Sequence, residues 1–307
     1  MKRKIPEIKE VPVPNIHHPP NNFDMLPNHE FTMGLIAPKG SGKTTVMINL
    51  IELYHGYFHT IIIFSPTVAS DEKWDYIKKK KGLVCQNREL QNWVDTIIER
   101  KKSAKIVDNP LVKSEFDGLY EEYDPDFDGV IPDDCFFEDY DEETLRSIYT
   151  KQMTMVKLLK KHGKTKHLAN RMLIIFDDLV GSQLFSNSRM NIFKGFNTRH
   201  RHYSCSMMMV TQAYREIPKT IRINYTCVIL FEICNDKELE TIHEEFPMGC
   251  IDKDKWLEMY NYATKDPYSF MYYNMQGKDR KKRVMKNFKE YIFMGDGCED
   301  LVKLEDE

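Results

Sequence analysis

The sequence predicts an α/β fold of three layers, in which a mostly parallel central sheet is flanked by helices on both faces. Short apolar segments alternate with helical stretches, and most of these segments are apolar at every position, which is typical of parallel strands covered on both sides. The chain has 307 residues, 41% of them hydrophobic, which is enough for one large domain of this class. The predicted strands lie at 30–37, 59–65, 171–177, 205–211, 226–231 and 268–273.

The intervals between these strands carry helical patterns. Met47, Leu50, Ile51 and Tyr54 fall at i, i+3, i+4 and i+7, which is the spacing of an amphipathic helix. The other predicted helices lie at 71–80, 88–102, 145–163, 186–197, 236–246 and 253–262.

Composition divides the chain into three predicted parts. Residues 1–29 are rich in proline and asparagine and are expected to form an extended arm, and residues 290–307 a C-terminal tail. Residues 30–289 form the predicted domain. Within it, residues 103–141 are acidic with scattered aromatic side chains, which indicates a surface insertion.

Composition also restricts the class of protein. The longest apolar runs span about five residues, far below the roughly 20 that a membrane-spanning helix needs, so we expect no transmembrane segment. The basic N-terminus lacks the apolar segment of a signal peptide. The seven cysteines are scattered and contain no Cys-x-x-Cys pair, which favours a reduced, intracellular protein without a disulfide framework or zinc site.

The loop after the first predicted strand carries a phosphate-binding pattern. Residues Ala37 to Thr44 match Gly-x-x-x-x-Gly-Lys-Ser/Thr, with Ala37 in place of the first glycine. Gly40 and Gly42 let the backbone turn its N–H groups towards phosphates, while Lys43 contacts the β- and γ-phosphates and the Thr44 hydroxyl reaches Mg²⁺. We therefore predict a P-loop NTPase that binds ATP and Mg²⁺. The predicted phosphate contacts are Pro38, Lys39, Gly40, Ser41, Gly42, Lys43, Thr44 and Thr45.

Two carboxylates end the third predicted strand. Asp177 and Asp178 follow the apolar run that begins at Met172. Side chains at the carboxyl end of a strand in a doubly wound sheet lie in the ligand crevice. We expect Asp177 to hold Mg²⁺ through water, and Asp178 to orient and deprotonate the attacking water.

Polar residues around the next strand suggest further catalytic groups. Thr211-Gln212 ends strand 205–211, and Gln212 is expected near the γ-phosphate, where its amide can hydrogen-bond the water. Arg201 precedes this strand and Arg222 follows it. Either is a candidate for an arginine finger supplied by a neighbouring subunit, and each is equally consistent with a surface or DNA-backbone contact.

The order of these motifs resembles the genome-packaging ATPases of nucleocytoplasmic large DNA viruses (poxvirus type), within the FtsK/HerA-like superfamily. The specific part is Arg201-His202, Thr211-Gln212 and Ile217 to Arg222, after the phosphate loop and the paired aspartates. The resemblance implies a RecA-like sheet with an additional strand and a homo-oligomeric ring that translocates double-stranded DNA. It also implies a capsid, portal or membrane-associated virion protein as docking partner, and a location in the virion or at the viral assembly site in the host cytoplasm.

Two other functions share the phosphate loop. A nucleotide kinase would need an arginine-rich lid, whereas the insertion here is acidic. A non-motor ATP-binding assembly factor would not need Lys43, Thr44, Asp177 and Asp178 together. ATP turnover with and without duplex DNA separates the three.

Overall fold

The structure is a computed structural model that describes residues 23–85, 94–96, 98–99, 129–161, 170–179, 181–186, 191–246, 252–294 and 301–304. Most of the predicted N-terminal arm, of the acidic insertion and of the helix at 88–102 therefore lies outside the described residues. None of the helices in these ranges combines the length and the apolar character that crossing a bilayer requires.

One sheet runs through the described residues. Its order is β10-β9-β8-β7-β6-β1-β5-β4-β2-β3. The strands are β1 (Thr32–Ile36), β2 (Thr60–Phe64), β3 (Phe136–Phe137), β4 (Met172–Asp177), β5 (Cys205–Thr211), β6 (Cys227–Phe231), β7 (Phe270–Asn274), β8 (Val284–Lys286), β9 (Glu290–Phe293) and β10 (Val302–Leu304).

The pairing of the strands confirms the predicted topology. β1 lies between β5 and β6 and is parallel to both, and β4 is parallel to β5 and β2. β5 therefore separates β1 from β4, which is the additional strand expected of a RecA-like sheet. From β7 onward the pairing is antiparallel, so the sheet is mostly but not wholly parallel.

Helices cover both faces of the sheet, because successive strand residues point to opposite sides. In β2, Ile61 and Ile63 join the core under one face, and Ile62 and Phe64 the core under the other. The first core packs against α1 (Lys43–Leu53) and α2 (Glu72–Lys79). The second packs against α3 (Glu142–Lys161), α4 (Ile192–Arg199), α5 (Lys219–Arg222), α6 (Asp236–Glu245) and α7 (Lys253–Thr264).

Several short strands do not appear in the sequence pattern. β3 lies at the end of the predicted acidic insertion, and it joins the sheet because Phe137 pairs with Phe64 of β2 and their rings stack 4.9 Å apart. β9 and β10 lie in the segment predicted as a tail and extend the antiparallel edge. The predicted strand at 268–273 begins at Phe270 instead, since Tyr268 has a left-handed backbone. The domain boundaries at 30 and 289 stay a prediction.

Candidate active site

The phosphate-binding loop joins the carboxyl end of β1 to the first turn of α1. Gly40 and Gly42 have φ angles of 81° and 94°, which side chains with a Cβ rarely adopt. A Cβ built on Gly40 would meet no atom within 4 Å, so the backbone conformation alone calls for glycine there. Ala37 is buried and still strand-like, donating its N–H to the Thr211 carbonyl at 2.9 Å, which explains why alanine serves at that position.

The N-terminus of α1 leaves its first N–H groups available to an anion. Gly42 is the N-cap and has no side chain with which to accept them, and the first turn carries no acidic residue. A helix N-terminus of this kind favours phosphate, because its orphan donors and its dipole both attract negative charge. Thr44 is half-buried and Thr45 exposed in this first turn.

Asp177 ends β4 and is almost completely buried. Its Oδ2 accepts a hydrogen bond from the Ser65 hydroxyl at 2.8 Å, and its Oδ1 lies 3.9 Å from Lys43 Nζ. Burial raises the pKa of this carboxyl, while the Lys43 charge and the Ser65 hydrogen bond oppose that rise.

The same carboxylate fits a magnesium ion. Oδ1 of Asp177 is buried and accepts no hydrogen bond from the described residues, and a buried oxygen of this kind normally has a partner. Mg²⁺ prefers oxygen ligands and keeps several of its waters, so a bound water can satisfy this oxygen. Together with the Thr44 hydroxyl, Asp177 would hold the ion.

Asp178 points away from Asp177 towards the phosphate loop. Its φ of 54° turns the chain sharply after β4, and its N–H still donates to the Val210 carbonyl at 3.0 Å. The partly exposed carboxylate forms an ion pair and hydrogen bond with Lys43 Nζ and accepts from Gln212 Nε2 at 2.8 Å. The structure thus brings Lys43, Asp177, Asp178 and Gln212 together, as the sequence predicts.

A serine that the motif analysis missed supports this cluster. Trp74 Nε1 donates to Thr67 Oγ1 at 3.1 Å, Thr67 and Ser65 share a hydrogen bond of 3.0 Å, and Ser65 donates to Asp177. This chain of donors anchors the buried carboxylate to α2. The available signal was a polar residue directly after the apolar run of β2, the same signal that identified Asp177.

Arg222 is committed within its own chain. It is buried, its Nε and Nη2 donate to Glu245 at 3.2 and 2.7 Å, and its Nη1 donates to the Ile217 carbonyl at 3.0 Å. Its guanidinium also lies over the Tyr214 ring at 4.5 Å. All three guanidinium nitrogens donate within the chain, so the structure does not present Arg222 to a neighbouring subunit, as an arginine finger at this position would require.

Arg201 lies at the opposite edge of the sheet from the phosphate loop. It is exposed in a short turn of 3₁₀ helix, His200–Tyr203, just before β5 begins. β5 has seven residues and ends beside the site at Thr211, so the strand separates Arg201 from Gln212 by about 20 Å. Arg201 therefore cannot reach the cluster of its own chain.

Residues 119–268 match the family model described as "Poxvirus A32 protein". The matched range includes the paired aspartates, Gln212 and the arginines, and the match confirms the resemblance inferred from the motifs. No curated protein sequence matches the chain.

Three solved structures illustrate the structural similarities. The genome packaging NTPase B204 from Sulfolobus turreted icosahedral virus 2, in complex with ATP-gammaS, is 11% identical with a TM-score of 0.47, over 85% of this chain and 98% of that one. The pCW3 conjugation coupling protein TcpA with ATPgS is 8% identical with a TM-score of 0.41, over 84% and 59%. The cytoplasmic domain of the Thermomonospora curvata Type VII secretion ATPase EccC is 8% identical with a TM-score of 0.39, over 83% and 25%.

Proposed function

We propose that this chain, a relative of the poxvirus A32 family, is an ATP-hydrolysing motor that translocates double-stranded DNA to package a viral genome. The single observation that supports ATP hydrolysis is the convergence of four side chains at the N-terminus of α1, after two glycines with left-handed backbone: Lys43, Asp177, Asp178 and Gln212. The step from hydrolysis to DNA translocation rests on the family.

Binding of ATP and readiness for hydrolysis are linked through Lys43. Its ammonium group pairs with Asp178 in the structure, and a triphosphate in the loop competes for the same charge. As Lys43 turns to the β- and γ-phosphates, the Asp178 carboxylate loses its cation and becomes available to accept a proton. Gln212 remains as its hydrogen-bond donor and holds its orientation.

In the hydrolytic step, Asp178 accepts a proton from water while the water oxygen bonds to the γ-phosphorus. The bond between that phosphorus and the β–γ bridging oxygen breaks, and ADP leaves with the electron pair. Thr44 and Asp177 would hold Mg²⁺, which supplies charge neutralisation on the phosphate oxygens when bound. Because Asp177 is buried, its side chain is held in one orientation, and Oδ1, which accepts no hydrogen bond from the described residues, is available to a water bound to the ion.

Arg201 of a second copy is proposed to complete the site. A second cation stabilises the negative charge on the transferring phosphoryl group. A trans arginine fits a homo-oligomeric ring in which the amino edge of one sheet, where its parallel strands begin, faces the carboxyl edge of the next sheet, where the parallel strands end. Exposure of Arg201 and its distance from its own site both support this arrangement.

The partners and location follow from the same family relationship. Arg280, Lys281 and Lys282 are exposed in the turn between β7 and β8, and their charge suits contacts with DNA phosphates. We place the motor in the virion or at the viral assembly site in the host cytoplasm, docked on a capsid, portal or membrane-associated virion protein.

ATP turnover with and without duplex DNA tests the proposal. We expect duplex DNA to stimulate turnover, and this stimulation to weaken as salt is raised because phosphate contacts release counterions. Lys43→Ala, which removes the ammonium group from the loop, is the control for contaminating ATPase. A rate unchanged by DNA would contradict the motor, and ADP formed only with a nucleoside monophosphate present would identify a kinase.

A further inference from the structure

Tyr268 is an exposed aromatic residue with an unusual backbone, placed beside the phosphate loop. Its side chain is 71% exposed and its φ is 61°. Bulky residues rarely adopt this left-handed conformation, because their Cβ crowds the neighbouring carbonyl. A residue held there without burying its ring gains little for the fold, so the position calls for a functional explanation.

The conformation is set by a tight turn between α7 and β7. The Ser269 N–H donates to the Asp266 carbonyl at 3.0 Å, which places Pro267 and Tyr268 at the two central positions. Proline first and a left-handed residue second is the pattern of a type II turn, where the second position is usually glycine or asparagine. Tyrosine occupies a position at which glycine would fit without strain.

Contacts on the far side hold this turn in place. The Asp266 carboxylate pairs with Lys286 of β8, and the Ser269 hydroxyl donates to the Asp266 carbonyl at 2.6 Å. Asn287 Oδ1 accepts from the Phe270 N–H at 2.9 Å. The turn is therefore braced from the antiparallel part of the sheet, while the tyrosine side chain extends into solvent.

The ring lies against the start of α1. A Cβ built on Gly42 would be 3.3 Å from Tyr268 Cδ1, so the ring lies directly beside the N-cap glycine that immediately precedes Lys43. Pairing of Phe270 with Phe231 explains this position, because it puts the beginning of β7 beside the carboxyl end of β6, at the same edge as the phosphate loop.

We infer that Tyr268 stacks on the nucleobase of the nucleotide whose phosphates the loop holds. The inference rests on the proposed function, since it requires a nucleoside triphosphate at Gly42 and Lys43. A nucleotide held by its phosphates carries its base within reach of residues beside the loop. An exposed aromatic face on a braced turn suits a base because every base has a π-face.

Binding of two ligands that differ by the nucleoside tests this assignment. The affinities for a non-hydrolysable ATP analogue and for inorganic tripolyphosphate, each with Mg²⁺, are compared between the unmodified chain and Tyr268→Gly. Glycine suits the left-handed turn, so this variant keeps the backbone while removing the ring. We expect the ATP analogue to bind about 5- to 100-fold more weakly and tripolyphosphate to bind unchanged.

Tyr268→Phe is the matched variant, and we expect it to retain the affinity of the unmodified chain for both ligands because the aromatic face remains. An equal loss of affinity for both ligands in Tyr268→Gly, or no loss of affinity for either, would overturn the stacking assignment. Because the unmodified chain would still bind nucleotide, the proposed function would stand. Failure of the unmodified chain to bind either ligand would instead reject the proposed function, and the inference with it.

Discussion

The two edges of the parallel part of the sheet carry different chemistry. At the carboxyl edge, Asp178 and Gln212 converge on Lys43 next to the phosphate loop. At the amino edge, Arg201 is exposed in the turn that precedes β5. Behind this turn in the chain, Ser204 and Ser206 belong to a buried polar network in which His29 lies 3.0 Å from Ser204 Oγ and 2.7 Å from Ser206 Oγ. The carboxyl edge therefore gathers the predicted catalytic groups, and the amino edge presents an exposed arginine.

This difference shows what one copy of the chain lacks. The carboxyl edge holds the predicted general base Asp178, the Gln212 amide that donates to it and one cation, Lys43. The arginine proposed as the second cation, Arg201, lies at the other edge, about 20 Å away. The hydrolytic site is therefore expected to form where two copies meet.

Arg201→Ala gives the largest expected effect, because it tests the amino edge directly. We expect the turnover of the assembled protein to fall by about 10³–10⁵, as for loss of an arginine finger, with ATP affinity little changed. Steady-state ATPase assays measure this. Arg199→Ala removes the same charge from the same edge, where the side chain donates to its own helix at Gly195, and should leave turnover nearly unchanged.

Equal losses in Arg201→Ala and Arg199→Ala would mean that the edge contributes general charge, such as DNA attraction, and not a finger. Unaltered turnover in Arg201→Ala would remove the amino edge from the catalytic account altogether.

Asp178→Asn tests the carboxyl edge. The amide keeps the shape of the side chain but cannot accept a proton from water, so we expect turnover to fall by about 10²–10⁴. ATP binding should persist, because Lys43 loses its acidic partner and is freer to meet the phosphates. Isothermal titration alongside the ATPase assay measures both, and loss of binding would contradict the assignment of Asp178 as the base.

Arg222→Met separates fold from catalysis. It removes one partner of a buried ion pair and leaves the Glu245 carboxylate without its guanidinium, which costs about 3–5 kcal/mol of unfolding free energy. Denaturant unfolding measures this, with the exposed Arg215→Ala as control. An unchanged midpoint together with lost turnover would return Arg222 to the list of candidate fingers.

Ser65→Ala has the smallest expected effect. Removing its hydroxyl deletes a hydrogen bond that lowers the pKa of Asp177, so this pKa rises further above its ordinary value of 3.8. Mg²⁺-dependent turnover requires the ionised carboxylate and is lost as pH falls through that pKa. The acid limb of the pH–rate profile should therefore move to higher pH.

Loss of this hydrogen bond is worth about 1 kcal/mol, so a several-fold loss of Mg²⁺ affinity is expected at neutral pH. Ser70→Ala, an exposed serine on the same segment, is the control. An acid limb that does not move would show that Ser65 does not tune Asp177.

Sequence reasoning predicted the features that depend on continuous segments. Long apolar strands such as β4 and β5, the glycine loop and the acids at the end of β4 are local patterns, and the structure places them as predicted. β3 and β8–β10 have only two to four residues each and depend on pairing with neighbouring strands. They are too short to form an apolar run from which a strand could be predicted.

Other features depend on contacts between distant parts of the chain. Arg222 looked like a finger because its partner Glu245 lies 23 residues away and no local pattern joins them. The position of Ser65 beside Asp177 depends on the pairing of β2 with β4. The position of Tyr268 depends on the turn before β7 lying beside Gly42. The roles assigned to Lys43, Asp177, Asp178 and Gln212 stay predictions that the structure makes geometrically consistent.

The most direct test of a site shared between two edges is to mix two inactive variants. Lys43→Ala keeps Arg201 but cannot use its own loop, and Arg201→Ala keeps the loop but cannot supply the arginine. After co-assembly with duplex DNA, we expect the mixture to recover ATP turnover although each variant alone is inactive. Absence of recovery in verified mixed assemblies would contradict a shared site.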